Sequence, residues 1–317
     1  HHAVHFNWLT QIDDPKFKFI FIGPFDQQCQ RIKNTDSITF FTRVDAIVST
    51  EFDVIPWWIS SPKIFFGHGV GPKLNYQGHH DLSSFDYSFC PCDPIYKLHE
   101  KLDVKAVKMG LPNLSYPNPI KLNDITKEFN LDETKPTIVY APSWSKDTSL
   151  ISDIDTIYKQ LRECSSHNVI VSPHPNLLQP DLCSNRRYFE DNDPLVNLPN
   201  SKWSTFDLCS AADIVISDIS SILFESLALG KMVLWDGNEA IYLESGGQDV
   251  LKNLRKAIPE VQWTNEIDGH LAKLIENYSE KKSRQFIEKY IFNIGTADLN
   301  FISCVDELTS FYRTETN

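Results

Sequence analysis

Short apolar runs rich in β-branched and aromatic residues recur along the chain, and longer amphipathic stretches separate them. A strand with one wet face alternates apolar and polar residues. These runs do not, so they require burial on both faces, as parallel strands covered by helices do. In the first part the predicted strands are 17–22, 46–48, 63–66, 86–89 and 105–108, with a helix over 94–102 between the last two. A second series predicts strands at 137–140, 168–172, 213–217 and 232–235, and helices at 153–164 and 221–229. Such alternation points to doubly wound parallel sheets. The tail 271–311 has helical period, with Ile287, Tyr290, Ile291 and Ile294 on one face.

Between the two series, residues 112–135 hold Pro112, Pro117 and Pro119 and a polar tract, with Pro136 just beyond. A linker is expected there. It divides the chain into an N-terminal α/β domain, 1–120, and a C-terminal α/β domain with a helical tail, 136–317. The 317-residue length suits about two domains of ~150 residues each. Two such units imply a cleft lined by the carboxyl ends of both sheets, where open α/β sheets bind ligands.

The formal net charge of −12 argues against sequence-independent nucleic-acid binding, which needs clustered Lys and Arg. One sub-site can still be basic on an acidic protein. Seven cysteines are scattered without a disulfide framework and read as reduced thiols of a cytoplasmic protein. Cys90-Pro91-Cys92 is a C-x-C rather than a C-x-x-C and is read as having no second Cys/His pair at ligand spacing, so no metal site is expected there. No apolar run is long enough for a transmembrane helix, and the first residues lack the order of a signal peptide.

Four segments carry chemistry. The sharpest is the run from Asp213 to Ser217, then Asp218-Ile219-Ser220-Ser221 opening a helix with Glu225 one turn in. The first amides of a helix lack internal partners and sit at its positive end, so with two hydroxyls beside them they suit a phosphate. Glu225 could take a ribose hydroxyl. The plainer alternative is a simple serine cap.

The second segment, Gly67-His68-Gly69-Val70-Gly71-Pro72-Lys73, follows a strand; its glycines permit close approach to a ligand. His68 suits a general base and Lys73 a phosphate counter-charge, against a plain glycine turn. The third places His174 between Pro173 and Pro175 at a strand end, where it could donate to a pyrophosphate oxygen or be a surface loop residue. The fourth is Tyr140-Ala141-Pro142-Ser143-Trp144, with Ser143 for phosphate and Trp144 for a base or for the core. His79, His80 and His99 read as loop or surface residues. Trp57 and Trp58 read as core or domain interface.

In this order the four segments resemble the CDP-glycerol glycerophosphotransferase family of teichoic-acid primases and polymerases. That family carries H-G-x-x-x-K, Y-A-P-[ST]-W, an H-P pair and D-Y-S-S opening a helix. Here they read His68 to Lys73, Tyr140 to Trp144, His174-Pro175 and Asp218 to Ser221. Smaller echoes are Gly110 to Asn113 and Ile294 to Ala297, so the match spans about 60 to 310.

The resemblance implies a GT-B-like fold of two facing Rossmann-like domains, with the nucleotide held mainly by the C-terminal one. It implies attack by an acceptor hydroxyl on the β-phosphorus of a CDP-activated polyol, releasing CMP. By carry-over His68 and His174 are the essential histidines; Ser220 and Ser221 hold phosphate, joined by Gly69, Lys73, Ser143, Asp218 and Glu225. No cofactor and no metal is called for. The acceptor is a glycan or lipid-linked polymer, at the inner face of the cell membrane.

Gly67 stands where the family has Trp, Ile219 where it has Tyr, and Ser145-Lys146 where an Arg often follows. The donor therefore stays open among CDP-glycerol, CDP-ribitol and other activated units. Two further readings stand beside it: a GT-B glycosyltransferase or UDP-GlcNAc 2-epimerase-like enzyme, and a non-catalytic nucleotide-binding subunit of a capsule assembly complex.

Overall fold

The computed structural model describes residues 19–22, 32–35, 44–50, 55, 58–67, 69–78, 82–115, 122–145, 153–178, 196–197, 203–264 and 266–315. Their strands are β1 (Phe19–Ile22), β2 (Ile32–Thr35), β3 (Ile47–Ser49), β4 (Lys63–Phe65), β5 (Tyr87–Cys90), β6 (Lys105–Lys108), β7 (Thr137–Ala141), β8 (Asn168–Val171), β9 (Ile214–Ser217) and β10 (Met232–Trp235). The helices are α1 (Leu74–Gly78), α2 (Asp93–His99), α3 (Leu122–Glu128), α4 (Ile154–Glu163), α5 (Thr205–Ala211) and α6 (Ser221–Ala228). They continue with α7 (Glu239–Glu244), α8 (Gln248–Ala257), α9 (Ile267–Glu276), α10 (Glu280–Tyr290) and α11 (Ala297–Glu315). Every strand pair is parallel. The expected α/β class is the observed one. None of the described helices is long and apolar enough to cross a membrane.

The chain forms two units, each made of separate segments. The first comprises His1–His68, Gly78–Tyr116 and Ile291–Asn317; the second comprises Gly69–Gln77 and Pro117–Tyr290. In the first unit β3-β4-β5-β6 pair in chain order, and β1-β2 form a separate pair. Alternate strand residues serve opposite faces. Ile64, Phe66 and Phe89 pack with Met109, Phe301 and Val305, while Phe65 joins Ile55, Leu82 and Phe85.

This packing departs from the expected 1–120 and 136–317 division in two segments. Residues 69–77 belong with the second unit, and 291–317 with the first. The tail is also not one helical face. Asn293 (φ 47°) and Gly295 (φ 77°) turn the chain left-handed between α10 and α11, so Ile291 and Ile294 lie outside both helices. α11 then inserts Phe301 edge-on between Phe66 and Phe89, with ring centroids 5.8 Å away in each case. Burying such a ring stabilises by roughly 1.5–3 kcal/mol, which ties α11 to this sheet.

His99, expected at the surface, is 0% exposed. It lies one helical turn after buried Ile95 on the inward face of α2, its ring 6.0 Å from that of Phe65. Nδ1 is 2.7 Å from the Ser88 hydroxyl. Burial lowers the imidazole pKa to about 4, and for the nearby Cys90 thiol it is the main influence pushing the pKa up to about 11.

In the second unit the spatial order is β10-β9-β7-β8. From β7 the chain moves outward to β8, then returns to the other side for β9 and β10. The order therefore reverses between β7 and β9, and an open parallel sheet leaves a crevice beyond its carboxyl ends at that point. One face of this sheet packs Ile138, Tyr140, Val169 and Ile214 against Ile157 and Leu161 of α4 and Leu271 of α9. The alternate residues Val139, Val215 and Val233 are 0% exposed and serve the other face, where α5 packs on β7 and α6 on β9 and β10. α5 was not expected. Its signal is the Ser204-x-x-Asp207 pair, which forms a reciprocal capping box: Asp207 N donates to Ser204 Oγ (3.1 Å) and Ser204 N to Asp207 Oδ2 (3.0 Å).

Candidate nucleotide and phosphate site

At the reversal point β7 leads to Ser143 and β9 leads to Asp218. Ser217 Oγ donates to Ala141 O at 2.6 Å, fixing the two strand ends side by side. Asp218 is 1% exposed, and a buried carboxylate is costly unless donors surround it. Four bonds do so here. Ser143 N lies 3.0 Å from both carboxylate oxygens, Ser143 Oγ donates to Oδ2 at 2.5 Å, and Ser220 N donates to Oδ1 at 3.0 Å. Tyr242 Oη also donates to the Asp218 carbonyl at 3.1 Å. Ser143 and Asp218 are thus brought together, as a clamp that locks the start of α6 to the end of β7.

Ser220 is the N-cap of α6, and its side chain makes no capping bond. Ser221 meets the glycine-rich segment. Its Oγ accepts from Val70 N (3.0 Å) and Gly71 N (3.1 Å), so the hydroxyl holds the glycine-rich segment. The close approach explains the glycines. A Cβ on Gly69, whose φ is +86°, would lie 2.2 Å from Ser221 Oγ, and one on Gly71 would lie 2.7 Å from Ile219 O.

Further bonds hold the same segment. Tyr290 Oη donates to Val70 O at 2.7 Å, with the Tyr290 ring stacked on Phe224 at 4.5 Å. Asn75 N donates to Ser245 O at 3.0 Å, and Asn75 Nδ2 to Glu244 O at 2.6 Å. Lys73 lies on this segment. Burial lowers its pKa, while the Asp218 charge pulls it back up. The sequence carries no local signal for Tyr290 or Asn75, whose partners lie 220 and 169 residues away.

His174 follows β8 at the same end of the sheet. Its Nδ1 accepts from Asn176 N at 3.2 Å, so the neutral ring carries its proton on Nε2. Trp144 lies beside it, ring centroids 5.8 Å apart. Glu225 is half-buried one turn into α6; its charge reinforces the burial that pushes up the Cys209 thiol, against a Ser226 hydrogen bond. The Asp218 bonds do not draw on it. His68 lies outside the described residues, as do His79, His80 and Trp57. Trp58 is 47% exposed rather than core.

The second unit therefore carries, on the segments beyond the carboxyl ends of its strands and packed against them, a helix start, a half-buried lysine and a histidine. That set can stabilise charge building on a phosphate oxygen.

The structure is similar to a variant of the wall teichoic acid polymerase TagF, with a TM-score of 0.66 at 14% identity over 99% of this chain and 86% of that one. TagF without the variant gives 0.64 at 16% identity, again over 99% and 86%. A TagF variant soaked for 15 minutes with CDPG gives 0.57 at 16% identity, over 97% and 84%. These likenesses show a shared fold. No curated protein sequence matches the chain. The family model for CDP-glycerol:poly(glycerophosphate) glycerophosphotransferase matches residues 92–293, most of the second unit and part of the first. The chain belongs to that family of glycerophosphotransferases.

Proposed function

We propose that the protein transfers a polyol-phosphate unit, glycerol phosphate foremost, from a CDP-activated donor to a teichoic-acid or capsule polymer acceptor. The single observation behind this reading is the Asp218 clamp at the β7/β9 reversal, which sets the start of α6 beside the glycine-rich segment. Family membership supplies the reaction class. The nucleotide is assigned to the second unit and the acceptor to the first.

In this scheme His68 takes the proton of the acceptor hydroxyl as its oxygen attacks the β-phosphorus. The new O–P bond forms while the bond from that phosphorus to the bridging oxygen breaks, and CMP leaves. His174 donates its Nε2 proton to the bridging oxygen as it departs on the phosphate of CMP. Lys73, Ser220 and the first amides of α6 offset the remaining negative charge. Ser143, Asp218, Gly69 and Ser221 hold these groups in place, and Glu225 takes a ribose hydroxyl. The positive charge comes from the protein itself, so the scheme includes no metal ion. The acceptor is expected to be lipid-linked, with peripheral contact at the inner face of the membrane.

The test offers CDP-glycerol, CDP-ribitol and UDP-GlcNAc separately, each with a glycerol-phosphate-primed acceptor, and follows nucleotide release. CMP release with acceptor elongation is expected. UDP release, or nucleotide binding without turnover on any donor, would overturn the reading in favour of a sugar-nucleotide enzyme or a binding subunit.

A further inference from the structure

We propose that Cys164, His167 and Asp268 form a binding site for one zinc-class divalent ion that staples the α4–β8 turn to α9. Cys164 is the C-cap of α4, and His167 immediately precedes β8, giving a C-x-x-H pair across one turn. The pair was not expected as a ligand set, because its third member lies 104 residues beyond Cys164 in the chain. Asp268 comes from the first turn of α9. One ligating atom from each residue lies within 4.8 Å of the other two. Tetrahedral zinc ligands at ~2.0–2.3 Å from the ion sit about 3.3–3.8 Å apart, so a small contraction closes the site and leaves a fourth position for water.

The donor set selects the metal. A thiolate, an imidazole and one carboxylate suit zinc, whereas magnesium and calcium prefer all-oxygen shells. The surroundings already orient these ligands. Ser165 N (3.1 Å) and Ser165 Oγ (2.6 Å) donate to Asp268 Oδ2. Ser166 N (3.2 Å) and Ser166 Oγ (2.6 Å) donate to Oδ1. The Ser166 hydroxyl is also 2.7 Å from His167 Nδ1. Outer-shell bonds of this kind fix ligand orientation at metal centres.

A cap for the turn requires only the serines. The thiol stands beside them, its Sγ–H pointing at Asp268 Oδ1 across 3.1 Å. On metal binding that S–H bond breaks, its proton leaves to solvent, and sulfur bonds the ion. The site lies at the amino end of β8, whereas His174 and Asp218 lie beyond carboxyl ends. The ion is therefore structural, and the proposal is independent of the transferase reading.

The test titrates metal-free full-length protein with Co²⁺ as a spectroscopic stand-in for zinc. Expected are one equivalent bound with thiolate-to-cobalt charge-transfer absorption, displacement by Zn²⁺, and a Zn²⁺-dependent rise in Tm. Cys164→Ser should abolish the charge-transfer band, and Ser166→Ala should weaken binding by about 10–100-fold. His167→Ala, at a half-buried position, gives a second ligand variant should the cysteine variant fail to fold, and it should lose stoichiometric binding. His1, His2 and His5 can bind cobalt only through imidazole, which gives no thiolate band. Absence of the band in the unmodified protein, or its survival in Cys164→Ser, overturns the proposal.

Discussion

The contact between the glycine-rich segment and α6 can be tested by pairing Gly69→Ala with Ser221→Ala. A methyl at position 69 meets two obstacles. At φ +86° a Cβ costs roughly 1–2 kcal/mol in backbone strain. It would also lie 2.2 Å from Ser221 Oγ, so the hydroxyl must swing away and release Val70 N and Gly71 N. Each lost bond costs about 1 kcal/mol, for a total of about 3–4 kcal/mol. Ser221→Ala alone loses the same two bonds and costs about 2 kcal/mol.

In the double variant the clash is gone and the bonds are already lost, so its cost stays at about 3–4 kcal/mol rather than the additive ~5–6. The residual Cβ–Cβ separation of 3.2 Å needs only a slight shift. Urea denaturation of the four proteins measures the coupling, with CDP calorimetry showing whether the phosphate end loosens in parallel. Costs that add to within about 0.5 kcal/mol would refute the idea that Ser221 grips this segment.

Tyr290→Phe keeps the stack on Phe224 but loses the 2.7 Å bond to Val70 O, and should cost about 1 kcal/mol in urea denaturation; no change would remove the latch. His68→Ala should lose ~10²–10⁴-fold in turnover with CDP affinity intact, and wild-type turnover would rule out His68 as the base. His174→Ala should lower both turnover and CDP affinity, since its Nε2 proton is assigned to a pyrophosphate oxygen; unchanged calorimetry would detach it from the nucleotide. Because burial lowers His99 from 6.5 to about 4, the unfolded chain takes up a proton that the fold refuses. Stability should be complete above about pH 6.5 and fall by up to about 3 kcal/mol as pH drops towards 4. Ser88→Ala with His99→Leu should flatten that acid limb in pH-dependent denaturation, and an unaltered limb would assign it to other groups.

Strands whose residues are buried on both faces were legible because burial leaves an unbroken apolar run: β9 and β10 appear in the sequence almost to the residue. β2, with Lys33, Asn34 and Thr35, carries no such run and was missed. His99 was misplaced because a lone histidine was read without its neighbour Ile95, which shares its helical face. Helical period marked the tail but cannot say which sheet a helix serves, and α11 was given to the wrong one. The polar residues at the strand ends were legible as a group. Their division of labour was not, because Ser221 finds its partners 150 and 151 residues back in the chain.

That separation has a consequence for how the protein is made. Val70 and Gly71 leave the ribosome long before α6 and α10, and Tyr290 follows Val70 by 220 residues. At about 5–20 residues per second, the segment waits roughly 10–45 s for its last partner. Contacts of such high sequence separation also close late, after local structure has formed. A β-branched apolar segment left unpaired that long would be an aggregation hazard. Gly67, Gly69, Gly71, Pro72 and Lys73 make this one a poor strand former. The glycines that permit close packing in the folded state thus also protect the nascent chain until α6 and α10 arrive.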